Sequence, residues 1–262
     1  QRPLADVLSE VERCITLYQV TVATFPPSLL AHMDLEIVAN LNTVITAGEA
    51  IDPQLAQRVA KTCRYFNAYG PTENSVCTSI YPLPATQKVD GAIPIGRPIS
   101  NNLCLVVNAH QQLLPPGMVG ELVVAGDGLA LEYINQPGRS AESFRSFDEL
   151  SGQWMAERCA EISSDPRWAD SVAKNASQYY RTGDRVRYNQ KGELEFFGRI
   201  DQQVKLRGHR IEPGEIQAQL MSIPQVVDAY VFVYHPNSNS QSDLLLAYVV
   251  QGKNSLESQQ IL

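Results

Sequence analysis

The chain has little of what marks several broad protein classes. It has no apolar run long enough to span a bilayer, and its start, QRPLADVLSE, lacks a basic stretch followed by an apolar one. It has no excess of Gly or Pro, with 16 of each in 262 residues, so composition gives no sign of disorder. It has no surplus of basic charge. With 21 Lys and Arg against 28 Asp and Glu, the net charge of -7 excludes the basic face that general nucleic-acid affinity needs. Its five cysteines, Cys14, Cys63, Cys77, Cys104 and Cys159, are odd in number and lack metal-ligand spacing. They read as free thiols in a reducing cytoplasm, which leaves the sequon at Asn175 without weight. The four histidines, His32, His110, His209 and His235, show no pairing and are expected to be structural or exposed. Neither a nucleic-acid nor a membrane partner is expected.

What is present is patterned. Over residues 1–91, strand-like YQVTVATF (18–25), NTVITAG (42–48) and CRYFNAY (63–69) alternate with helical PPSLLAHM and IDPQLAQRVAKTC. In the latter, Asp52 stands at the N-cap position and Pro53 at the first turn. This alternation with short connections predicts part of an α/β fold with a parallel sheet. Ligands bind beyond the carboxyl ends of such strands, and TAGEA (46–50) and YGPTENS (69–75) fall there. From 92 to 200, short alternating runs separated by PPG, GDG and QKG turns predict an antiparallel, β-barrel-like subdomain. Trp154, Met155, Cys159 and Ile162 recur at helical spacing within it, predicting a helical insert at about 146–178. From 201 to 262, the strand-like run QVKLRGHRI, a helix EPGEIQAQLMSI and strands VVDAYVFVY and DLLLAYVVQ predict a small α+β domain. It stops at SLESQQIL as another helix begins, so truncation is expected.

Four stretches carry the chemistry: NAYGPTE (67–73), GELVVAGDGLALEYINQP (120–137), YRTGD (180–184) and GRIDQQVKLRGHRIEPGEI (198–216). Alone, YRTGD reads as a hairpin turn and KLRGHR as a solvated basic strand. Together, in this order, they resemble the adenylation domains of nonribosomal peptide synthetases, members of the acyl-adenylate-forming superfamily. The resemblance covers essentially the whole chain apart from the insert. It implies activation of an amino acid with ATP and Mg²⁺ as aminoacyl-AMP, then transfer to the phosphopantetheine thiol of a carrier protein. Neighbouring synthetase domains and an MbtH-like protein are the further partners it implies. An acyl-CoA ligase of the same superfamily and a noncatalytic interaction module are the alternatives.

The resemblance also implies roles residue by residue. Tyr69 offers a ring face to adenine, the amide of Asn67 its edge, and Ala68 and Gly70 close backbone. Thr72 offers a hydroxyl to the α-phosphate, and Glu73 is a hard oxygen ligand for Mg²⁺. Asp184 matches the carboxylate that grips the ribose hydroxyls, and Arg199 the cation beside ribose and phosphate. Asp201 matches the hinge, and Lys205, Arg207 and Gly208 follow it, with Lys205 a catalytic candidate. Thr24, Ile45, Ala47, Gly48, Ala68, Val76 and Cys77 match the side-chain pocket. All are small or apolar and none is charged, a set similar to that of phenylalanine-activating domains. A lysine-bearing Gly/Ser/Thr-rich phosphate loop, an upstream acid for the substrate amine and a C-terminal lysine do not occur in the chain. The 262 residues alone are therefore expected to be inactive, with flanking segments, or a sequence resuming after an inserted methyltransferase, completing the domain.

Overall fold

The computed structural model describes residues 3–147, 178–201, 203–206, 209–234 and 244–251. The chain divides into two compact units, Gln1–Ile200 and Asp201–Leu262. Among the described residues no helix is long and apolar enough to cross a membrane.

The first unit opens with a helix, α1 (Leu4–Leu17), that the patterning above does not name. Its signal is nonetheless in the sequence. Leu4, Leu8, Val11 and Ile15 are spaced along one helical face, and Ile15 is buried with Leu8 and Val11 packed beside it. Strand β1 (Val22–Phe25), the single turn α2 (Pro27–Leu30), β2 (Thr43–Thr46), α4 (Pro53–Ala60) and β3 (Arg64–Tyr69) then follow as expected, with one further turn, α3 (Leu35–Val38), that the patterning does not name. Asp52 caps α4 by accepting from the Leu55 amide at 2.8 Å, and Pro53 occupies the first turn. The strands pair in parallel in the order β1-β2-β3, with Thr24, Ile45 and Phe66 on one rung. One face buries Phe25, Val44 and Tyr65 against Leu30, Leu55 and Val59 from the helices.

The chain then reverses. Strand β4 (Ser79–Leu83) runs antiparallel to β3, and the short β5 (Arg97–Pro98) pairs with β4, which makes the first sheet mixed. Gly70 permits the reversal, since a Cβ there would lie 2.4 Å from the Val76 carbonyl oxygen and 2.8 Å from the Thr78 nitrogen.

The antiparallel region is an open sheet, not a closed barrel. Its order is β10-β9-β7-β6, built from β6 (Asn102–Val107), β7 (Gly120–Gly126), β9 (Gln178–Tyr188) and β10 (Leu194–Arg199). A short helix α5 (Pro137–Ser143) leads into β8 (Phe144–Ser146), which pairs with β9. YRTGD is therefore no hairpin turn, because it lies inside an eleven-residue strand. Of the helical insert expected at about 146–178, residues 148–177 lie outside the described residues. Its flanks are described, and Ser146 and Gln178 face each other across the β8–β9 ladder. The second core gathers Cys104, Leu122, Val124, Tyr180 and Leu194 around the ring of Tyr69.

In the second unit QVKLRGHRI is not one strand. It makes two short antiparallel strands, β11 (Val204–Leu206) and β12 (His209–Ile211), with Lys205 opposite Arg210. Helix α6 (Pro213–Met221) and the antiparallel pair β13 (Val226–Tyr234) and β14 (Leu244–Gln251) complete it.

Replacing Asp52 by Ala removes a side-chain cap and is expected to cost about 1 kcal/mol of stability, read as a lower urea midpoint at unchanged slope.

Candidate active site

Asp184 is the best-anchored of the expected site residues. Across β7–β9, Glu121 faces Arg185 but Val123 faces Arg181, so β9 carries extra residues opposite Leu122. A second irregularity lies between Phe196 and Arg199 in β10, where Gly198 adopts φ 89°. Bulges of this kind re-aim a side chain out of the regular alternation. Gly183 takes φ 70°, and the Thr182 hydroxyl donates to the Leu122 carbonyl at 2.7 Å while accepting from the Asp184 amide at 3.0 Å. The result is a carboxylate only 5% exposed. Its Oδ2 accepts from the Tyr69 hydroxyl and its Oδ1 from Arg199 Nη1 at 2.7 Å. Burial, and then the Asp184 charge, push the Tyr69 phenol well above its ordinary range, so it remains a donor.

Tyr69 and Asn67 both carry structural contacts of their own. The Tyr69 ring, 8% exposed, packs in the second core, and it is the hydroxyl that reaches the site. The Asn67 amide donates to the Pro94 carbonyl at 2.9 Å and accepts from the Thr46 hydroxyl at 3.4 Å.

Beyond Gly70 and Pro71, Thr72–Asn74 form one 3₁₀ turn, with the Thr72 side chain exposed and Glu73 6% exposed. The turn is clamped by the 126–133 loop. The Ala130 amide donates to the Glu73 carbonyl at 2.8 Å, and the Ser75 hydroxyl to the Gly128 carbonyl at 2.7 Å. The Tyr133 hydroxyl donates to Glu73 Oε1 at 2.5 Å, lies 3.3 Å from the Tyr180 hydroxyl, and has the Arg139 guanidinium 4.9 Å above its ring. Among the described residues no three metal-binding side chains gather. One buried carboxylate completed by phosphate oxygens and water is how Mg²⁺ is commonly held, and Glu73 fits that use.

Ser75 and Val76 follow at φ 51° and 72°. The left-handed region is uncommon for any side chain and strained for a β-branched one, by about 1–3 kcal/mol. The pair folds the chain back, so that the Cys77 amide reaches the Ser75 carbonyl at 2.8 Å and the Thr78 amide the Tyr69 carbonyl at 2.7 Å.

The expected pocket residues are partly brought together. Thr24, Ile45 and Ala68 share the face of the first sheet opposite its core, with Ala47 and Gly48 just past the end of β2. Val76, 67% exposed, and the half-buried Cys77 belong to the reversing loop. Asp201 begins the second unit and Lys205 lies on β11, while Arg207 and Gly208 fall outside the described residues. Three residues were not foreseen. Phe66 shares the pocket face and was legible from its alternation with Ala68. Tyr133 and Glu121 stand in quoted motifs, but nothing local marks their partners, which lie about sixty residues away.

Comparisons with known proteins place the chain in a family. The family model of AMP-binding enzymes matches residues 2–134. Tyrocidine synthase 1 of Brevibacillus parabrevis is 36% identical over 95% of the chain, and bacitracin synthase 3 of Bacillus licheniformis is 37% identical over 89%. The chain spans 20% and 3% of those proteins. Among solved structures, an NRPS protein containing adenylation and PCP domains, bound to a vinylsulfonamide inhibitor, superposes with a TM-score of 0.78 at 25% identity. The match covers 97% of this chain and 41% of that one. The fold and site define an adenylate-forming class of protein, and the chain belongs to the AMP-binding enzyme family. Within it, these relatives support a portion of a nonribosomal peptide synthetase adenylation domain.

Burial raises the pKa of both Tyr65 and Tyr69 above the ordinary value of about 10. A folded-state pKa above the unfolded one contributes stability that is fully present below pH ~10 and is lost as pH rises beyond it. Phenolate absorbance is therefore expected to rise in two stages, with Tyr65 and Tyr69, and Tyr81 whose pKa burial also raises, ionising in the later one. Tyr69→Phe should remove one tyrosine from the delayed stage.

Proposed function

We propose that the chain is part of a domain that activates an amino acid with ATP and passes it to the phosphopantetheine thiol of a carrier protein, in the assembly of a peptide natural product. The observation that carries this reading is the buried Asp184, held by Tyr69 and Arg199, in a chain of the AMP-binding family. A carboxylate accepts about four hydrogen bonds in all, which suits Asp184 to paired ribose hydroxyls. The substrate carboxylate attacks the α-phosphorus, the bond to the β-phosphate bridge breaks, and its electron pair leaves with pyrophosphate. The exposed Thr72 hydroxyl donates to an α-phosphate oxygen, and Arg199 offsets the charge that develops there. Mg²⁺, bound through Glu73, would neutralise phosphate charge. Tyr133 keeps the Glu73 carboxylate oriented. In the second step the carrier thiolate attacks the acyl carbon and AMP leaves. Asp201 serves as the hinge, and Lys205 acts after it.

The substrate is L-phenylalanine or a close aromatic analogue. Thr24, Ile45, Ala47, Gly48, Ala68, Val76 and Cys77 supply small or apolar groups and no charge, so a charged side chain would enter unpaired. Apolar pockets separate near-isosteres by only about 10–200-fold, so Tyr, Trp and Leu should be tolerated in part.

In the complete synthetase, pyrophosphate exchange is expected to be driven best by phenylalanine and to be lost in Asp184→Ala. Preference for a charged or very small amino acid would refute the substrate assignment, and preference for a fatty acid would favour an acyl-CoA ligase.

A further inference from the structure

Asp184 is held by direct contacts, but the bulge beneath it has its own anchor. Glu121, on β7, is a charged residue only 6% exposed. Its carboxylate receives the Arg181 fork, Nη2 to Oε2 at 2.7 Å and Nε to both oxygens at 3.2 Å. Oε1 also accepts from the Gly183 amide at 3.3 Å. Gly183 is the residue of β9 at φ 70°, and its carbonyl accepts from the Ile200 amide at 2.8 Å. One carboxylate therefore ties both residues that flank Thr182. Through Gly183 the tie continues to the residue after Arg199.

A backbone amide turned out of a ladder must find its partner in backbone, a side chain or water. Here a buried anion takes it, and a guanidinium fork fixes the orientation of that anion. Functional carboxylates hold to within about 0.5 Å only when their support is itself locked. We propose that Glu121 is a positioning residue, which acts through Arg181 and the Gly183 amide to set the carboxylate of Asp184 for the ribose of the nucleotide. This rests on the reading of Asp184 as the ribose ligand.

The test uses the full synthetase and compares ATP with 2′-deoxy-ATP in amino-acid-dependent pyrophosphate exchange. Wild type should discriminate against the deoxynucleotide, and Asp184→Asn should lose that discrimination. Glu121→Gln keeps shape but loses charge. It is expected to raise KM for ATP about tenfold, some 1.4 kcal/mol, with kcat and the amino-acid KM unchanged. The preference for ATP over 2′-deoxy-ATP should shrink in parallel. Arg181→Gln, which removes the more exposed partner, should give the same split, and adding Glu121→Gln to it should cost little more.

If Glu121→Gln keeps the wild-type discrimination while Asp184→Asn loses it, the inference falls and the ribose assignment stands. Equal loss of all kinetic constants with discrimination intact means a structural role and also overturns it. Should Glu121→Gln fail to fold, Arg181→Gln decides, with wild-type discrimination there counting against the proposal. If Asp184→Asn leaves nucleotide discrimination untouched, the ribose reading and the inference fall together.

Discussion

A carboxylate withdrawn from water must be fully hydrogen-bonded, and that requirement at Asp184 organises the first unit. Ionised carboxylates removed from solvent carry a desolvation penalty of several kcal/mol, offset only by well-placed donors. The donors come from separate strands, the Tyr69 hydroxyl from β3 of the first sheet and the Arg199 guanidinium from β10 of the second. Neither sheet could supply the arrangement alone. Tyr69 takes its backbone from one sheet and buries its ring in the core of the other. The residue that reaches the site is thus also part of the joint between the sheets.

The reversing loop meets a different constraint. It has to leave a parallel strand, present Thr72 and Glu73, and return beside the strand it left. Gly70 makes room for the return, and the left-handed pair Ser75 and Val76 provides the bend. A β-branched residue in that conformation is a cost the surroundings must hold. The clamp from Ala130, Gly128 and Tyr133 on the same turn is what holds it. Backbone strain kept by over-determined contacts is characteristic of functional sites.

Much of this was legible in the letters. The three parallel strands follow from β-branched runs, and the start of α4 from Asp52 and Pro53, because caps and alternation are local effects. What escaped local reading was pairing at a distance. Gly183 carries the same signal in a turn as in a bulge, so YRTGD looked like a hairpin until β7 and β10 were seen on either side of it. The split of QVKLRGHRI into β11 and β12 was hidden for a related reason, since strand character does not say where a strand ends. Asn67 shows no local sign of its bond to the Pro94 carbonyl, 27 residues away. Glu121 and Tyr133 were in view as letters, but their partners were not.

Ser146 and Gln178 face each other where β8 ends and β9 begins. The ladder itself brings these two residues together, so the points where the chain leaves and re-enters the sheet are neighbours. Closure entropy grows only logarithmically with loop length, each doubling costing about 0.6 kcal/mol. This is a doorway in the architecture. Chain length can change at this point while Tyr180 and Asp184, a few residues further along β9, keep their places.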